Sequence, residues 1–255
     1  MKSTFKSLSV LLITFLSLNA SSQNKMQSLD ELVNKTDPAW PLVLEWIDSA
    51  KNKVEVLIYD PAAARTTLYN TQVSTYSTLG AVIYNSGGIM IDGGWIRILG
   101  CGNPRLTRTV SEWNKGKTIM EFGDLPAYLL VADDAAGGFF AINYGAFGED
   151  TKAVYYLAPN SLKWESMGLG YTEFLQFCFN GDLTQFYKGL RWSTWDKFIA
   201  NLDGNKSYSF RPYLWTEGGV DVETCTRKLV TTEELFKFNI NKQKELYISG
   251  NAEKQ

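Results

Sequence analysis

Two apolar runs, 89–91 and 95–99, are separated only by Asp92-Gly93-Gly94. A connection this short, built on an Asp-Gly pair, can join only antiparallel neighbours, because parallel strands need a crossover of about a dozen residues or more. Asn85-Ser86-Gly87-Gly88 stands just upstream and ties the pair to 81–84, which reads as a third short strand. After a polar connection over 100–124, strand-like runs resume at 128–132, turn through 133–138, return at 139–143 and close at 154–157. The pattern is that of an antiparallel meandering sheet. The connection is too long to be an idle loop in a compact domain, so it is either functional or partly structured.

Helical signals flank the strands. Ser28-x-x-Glu31 is a capping box opening a short helix over Leu29, Leu32 and Val33. Asp37-Pro38 offers an N-cap and an N1 proline to a helix running to about Lys51, with Trp40, Val43, Leu44, Ile47 and Ala50 on one face. A strand over 54–58 separates it from a second Asp-Pro start at Asp60-Pro61, with a helix through Leu68. Downstream, 172–179 reads as a helix stopped at Asn180-Gly181, and Ser193 caps a short one through Ile199. A strand at 208–213 follows, and the Thr231-x-x-Glu234 capping box opens a final helix to about Tyr247. The fold class is α+β: one main domain over 23–210, and a C-terminal extension over 211–255 carrying the last helix.

The 255 residues contain no histidine. Ser-His-Asp and Cys-His catalysis, histidine general bases and histidine-ligated zinc are therefore excluded. With 25 Lys+Arg against 27 Asp+Glu, net charge is −2 and no basic tract stands ready for a phosphate backbone, so nucleic acid is not an expected partner. Gly100-Cys101-Gly102 invites a nucleotide reading, but Arg105 holds the third glycine position and the neighbouring strands are hairpin-linked. The plain reading is a tight turn. Nothing in the pattern calls for a cofactor or a metal.

The N-terminus has the form of an export signal. Lys2 and Lys6 precede an apolar run over 8–18, and Ala20 and Ser22 are small residues at the spacing signal peptidase reads. Cleavage is expected after Ser22, giving a periplasmic or secreted chain. The run falls short of the roughly 20 residues needed to span a bilayer, and the mature chain offers no later span. Of the three cysteines, Cys178 sits among phenylalanines as an ordinary buried thiol. Cys101–Cys225 is the one pair worth entertaining as a disulfide.

Paired carboxylates are the remaining route to hydrolysis. Asp92 at a hairpin tip and Asp133-Asp134 at a strand end are the candidates for a carbohydrate-active enzyme, which needs two acids about 5–10 Å apart across a cleft. Aspartate before a glycine-rich turn is more simply turn chemistry. Calcium binding at Asp133-Asp134 lacks the alternating ligand pattern. The 8 Trp, 13 Tyr and 14 Phe must mostly be core, yet Trp95 and Arg97 alternate along a strand leading to Asn103 and Arg105, and Trp113 ends the same connection. Tryptophan with arginine makes protein-contact hot spots, stacks on sugars, or serves packing alone. A protein or envelope ligand at Trp95, Arg97, Asn103, Arg105, Trp113 and Asp133 is the leading expectation, with packing alone as the structural alternative.

Several of these segments resemble the bacterial domain-of-unknown-function family 2625. Leu29-Asp30-Glu31-Leu32, Asp37-Pro38-Ala39-Trp40-Pro41, the run 93–100 and Pro104-Arg105-Leu106 carry the likeness. So do Phe122-Gly123-Asp124-Leu125-Pro126 and 133–148, while 164–183 is similar to the family's C-terminal signature. The resemblance implies a bacterial protein and no particular activity. A fainter one is to SUKH-type immunity proteins: 129–134, Gly137-Gly138, 139–143, Val154-Tyr155 and Phe174-Leu175 follow in that order. It implies an α+β binding scaffold rather than an enzyme. The export signal and the C-terminal extension depart from that pattern.

Overall fold

A computed structural model describes residues 26–252, with side chains as far as Leu246; the expected leader lies outside the described residues. Seven strands form one antiparallel sheet in sequence order: β1 (Val54–Val56), β2 (Gly88–Ile91), β3 (Ile96–Leu99), β4 (Tyr128–Asp134), β5 (Phe139–Asn143), β6 (Ala153–Leu157) and β7 (Trp164–Gly170). β8 (Lys206–Arg211) and β9 (Thr226–Thr231) make a separate antiparallel pair. The α+β meander is therefore as expected. Its sharpest turn is held by Asp92, Gly93 and Gly94, all at positive φ (50°, 73° and 103°), between the facing residues Ile91 and Ile96. Glycine enters that region freely, and aspartate is among the few side chains that tolerate it.

Helices cover both faces of the sheet. In chain order they are α1 (Leu29–Leu32), α2 (Trp40–Asp48), α3 (Pro61–Thr71), α4 (Thr78–Asn85), α5 (Val110–Asn114), α6 (Tyr171–Asn180), α7 (Leu183–Phe186), α8 (Trp195–Ile199) and α9 (Thr232–Ala252). Successive strand residues point to opposite faces. Phe140 accordingly meets Phe174 of α6 at 5.0 Å between ring centres, and Phe139 meets Phe236 of α9 at 4.9 Å. Every residue of β5 is buried, which is why its sequence shows no polar alternation.

Five local readings change. Residues 81–84 are not a strand but part of α4, capped where Ser77 Oγ accepts from Gly80 N. Thr78 through Ile83 are all buried, and a helix apolar on every side cannot be told from a buried strand by periodicity. Asp37-Pro38 is not the start of α2: Ala39 is its N-cap, with Ala39 N bonded to Thr75 O. Thr194, not Ser193, precedes α8. The sheet does not end at β6, because β7 adds an edge strand whose Glu165, Ser166 and Gly168 gave no strand pattern. All three cysteines are free and buried, so Cys101 and Cys225 do not pair.

The connection 100–124 is partly structured. It holds α5, capped by Thr109 Oγ1 accepting from Glu112 N, and two isolated bridges. The expected boundary at residue 210 falls inside β8, which pairs along its whole length with β9. Tyr208 N donates to Ala135 O at 2.8 Å, seating this hairpin against the turn after β4.

Candidate functional site

Arg97 on β3 stands directly opposite Asp133 on β4 in the sheet register, and both are fully buried. Arg97 Nε donates to Asp133 Oδ1 at 2.6 Å, and its other donors reach Lys206 O, Asp134 O and Ser207 Oγ at 2.7–2.8 Å. Asp133 Oδ2 accepts from Arg108, whose Nη2 also donates to Gly204 O. Burial pulls the Arg108 guanidinium's proton affinity down and Asp133 restores part of it. Its guanidinium lies 4.6 Å from the centre of the Trp113 ring, which Lys117 Nζ also approaches at 4.3 Å. One carboxylate thus holds two arginines, and the arginines hold the loop and strand at 204–207 against the main sheet.

Trp95 belongs to a different cluster. It is buried against Tyr187, Trp192 and Trp195, with ring centres 5.2–5.8 Å away. Arg191 lies over Trp95, Tyr187 and Trp195 and pairs with Asp92 at 2.7 Å. Asn103 and Arg105 are on the outside: Asn103 Nδ2 donates to Ile58 O, and Arg105 pairs with Glu55, the two side chains 54% and 46% exposed. The six expected contact residues are therefore split. Trp95, Arg97, Trp113 and Asp133 face the interior, and only Asn103 and Arg105 meet solvent.

The candidate acids are all engaged. Asp134 Oδ1 accepts from Ala136 N and Gly138 N, and Oδ2 accepts from Tyr156 Oη at 2.6 Å. Burial pushes its carboxyl above the ordinary aspartate range despite those donors. A Cβ on Gly138 would come within 2.3 Å of both Asp134 Oδ2 and Tyr156 Oη, so the carboxylate and phenol close over that glycine. Neither Asp133 nor Asp134 has solvent access for an attacking water. Among the described residues no group of three or more Asp, Glu or Cys is arranged to hold a metal.

The open concavity lies elsewhere, against α2, α4 and α6. A cleft of about 740 Å³ is lined by Asp37, Ala39 and Leu42 from the start of α2, and by Val73, Tyr76 and Ser77 before α4. Ile142 and Tyr144 at the end of β5, Lys152, and Gly170 through Glu173 at the start of α6 complete it. Three helix N-termini thus converge on it, and Asp37 and Glu173 set carboxylates against that positive end of the field. Tyr76 is 64% exposed, and Leu42 and Tyr144 are also bare. A second cavity of about 370 Å³ shares Val73 and Tyr144 and is walled by Ile119, Leu125, Pro126 and Leu129. The sequence held one usable cue: Tyr76 stands alone in Ser-Thr-Tyr-Ser-Thr, where no neighbouring apolar residue offers it a core.

Segments 37–41, 122–126, 133–148 and 164–183, far apart in the chain, all contribute walls to these two cavities. The model of a family described as a protein of unknown function, DUF2625, matches residues 29–235. The chain belongs to this family. The match spans the sheet, both cavities and the β8–β9 hairpin. Two relatives are similar over nearly their whole lengths. The uncharacterised Escherichia coli K12 protein YbfG is 43% identical over 211 residues, covering 83% of this chain and 94% of the relative. An uncharacterised protein of Haemophilus influenzae Rd is 40% identical over 214 residues, covering 84% and 94%. No solved structure matches the chain.

Proposed function

We propose that this chain is an exported, non-catalytic binding module that takes a protein segment or another envelope ligand into the cleft between α2, α4 and α6. The observation that carries the reading is the contrast between two regions. Asp133 and Asp134 are buried in pairs with arginine and tyrosine and Asp92 is held by Arg191, while Leu42, Tyr76 and Tyr144 stand bare around a cleft of about 740 Å³. Concave apolar surface with a few polar groups at its rim is what ligand sites are made of. Tyrosine gives large contact area at little conformational cost. The likeness of 129–175 to SUKH-type immunity proteins supports a binding scaffold, and the charged and apolar pattern at the N-terminus supports export.

The test compares wild type, the double variant Tyr76→Ser/Tyr144→Ser, and Arg105→Ala as immobilised baits in envelope extract. Wild type and Arg105→Ala should recover the same species, and the double variant should lose it with its fold intact. Equal recovery by all three would remove the cleft as the site. For export, N-terminal sequencing of the periplasmic fraction should begin at Gln23. A chain found only in the cytoplasm with residues 1–22 attached would contradict it.

A further inference from the structure

The cavity of about 370 Å³ shares Val73 and Tyr144 with the cleft, but its other walls are its own. Ile119 and Leu129 give it a buried apolar floor. Much of its polar lining is already spent. Asn114 Nδ2 donates to Val110 O and Leu130 O, and its Oδ1 accepts from Leu130 N and Thr118 Oγ1. Gln72 is tied both ways to Gln27 and donates to Tyr69 O. Three lining groups keep hydrogen-bonding capacity. The Asn70 amide has no partner among the described residues, and Ser111 Oγ, on a residue 3% exposed, shares one 3.3 Å bond with Thr109 Oγ1. The third is Asp124.

Asp124 sets the charge of the site. Its Oδ2 accepts from Met120 N and Glu121 N, which fixes the carboxylate on its turn, while Oδ1 has no partner among the described residues. The other acid of the turn, Glu121, is taken by Lys115, whose ammonium lies 4.4 Å from the centre of the Phe122 ring. Among the described residues no lysine or arginine lines the cavity. An entering acid would meet a like charge and no partner, whereas an ammonium would meet one fixed carboxylate. At the roughly 30 Å³ that a water takes up in the liquid, there is room for on the order of ten heavy atoms. We propose that this cavity binds a small amphiphilic amine, with its apolar body against Ile119 and Leu129 and its ammonium at Asp124 Oδ1. The proposal does not depend on what the cleft between α2, α4 and α6 takes.

Isothermal titration of the protein with n-octylamine, n-octanol and sodium octanoate at neutral pH tests it. The amine should bind at one site, up to about fivefold tighter than the alcohol, which is what one exposed ion pair contributes, and octanoate should bind weakest. Asp124→Asn keeps an oxygen for Met120 N and Glu121 N, so the turn survives, and the amine should fall to the affinity of the alcohol. Asn70→Trp sets a large side chain on the half-buried end of α3 that lines the cavity, and should abolish binding of all three probes. Tyr76→Ser, in the cleft alone, should change nothing. Equal affinities for the three probes, or no saturable binding of the amine, would overturn the proposal. So would amine binding undiminished by Asp124→Asn or by Asn70→Trp, or its loss in Tyr76→Ser, which would move the probe into the cleft. A cleft that recovers no partner from envelope extract leaves these outcomes as they stand, so the two proposals fail separately.

Discussion

Asp133→Asn is the sharpest perturbation the buried network allows. The substitution keeps the shape of the side chain, so no cavity confounds the result. It removes the one charge that faces Arg97 and Arg108 together, and turns an amide donor toward guanidiniums that need an acceptor. Breaking a buried pair by removing one partner costs about 3–5 kcal/mol, because the remaining charge stays desolvated. For a domain of this size each kcal/mol moves the melting midpoint by about 2–4 °C, so a fall of roughly 6–20 °C is expected in a calorimetric or circular-dichroism melt. The loss should also be directed. Arg97 and Arg108 donate to the carbonyls of Lys206 and Gly204, so amides of β8 should lose hydrogen-exchange protection before those of β5. A midpoint within about 2 °C of wild type, with β8 equally protected, would refute the role given to this network.

Three further outcomes follow from the same structure. Trp95→Ala should destabilise by about 3–5 kcal/mol in denaturant titration, while Arg105→Ala should stay within about 1 kcal/mol, because the first empties an aromatic cluster and the second loses an exposed pair. Asp134 contributes with the sign of a raised carboxyl: its share of stability is fully present below the unfolded-chain pKa and is lost as pH rises through the folded value. The stability of wild type relative to Asp134→Asn should therefore fall from acid to neutral pH, and a rise across that range would contradict the burial effect. Cys101, Cys178 and Cys225 should not react with a thiol reagent in the native protein, and all three should titrate once it is denatured, since burial raises each thiol and hides it.

Many of the turns and caps of this chain were legible because their signals are local, although Asp37-Pro38 and Ser193 misplaced the starts of α2 and α8. Asp60-Pro61, Ser28-x-x-Glu31, Thr231-x-x-Glu234 and Asp92-Gly93-Gly94 all act where they read. The errors fell where tertiary context decides. Residues 81–84 are apolar enough for either period, and it is burial on every side within α4 that makes them helix. β7 is an edge strand with a charge and two glycines, devices that blunt an edge and erase its pattern together. At the candidate site, the sequence reading took Trp95, Arg97 and Asp133 for part of a contact surface, and the structure places all three in the interior. The sequence could not tell that Arg97 meets Asp133 across the register, nor that both are sealed by a strand more than a hundred positions after Arg97. An arginine in a hot spot and an arginine in a buried pair look the same until the partner's position is known. The cleft was least legible of all, because its walls come from five separated stretches of the chain.

The central claim is that contact with a partner runs through the cleft and not through the region 95–113. Site-specific photocrosslinking in living cells measures this directly, with the crosslinker placed at Tyr76 in one strain and at Asn103 or Arg105 in others. Tyr76 and Arg105 are exposed and Asn103 is half-buried at the surface, so each position meets solvent. Tyr76 should give a discrete higher-mass adduct, and the other two should give none. Adducts at Asn103 or Arg105 with a silent Tyr76 would contradict the claim and return the contact surface to the connection after β3.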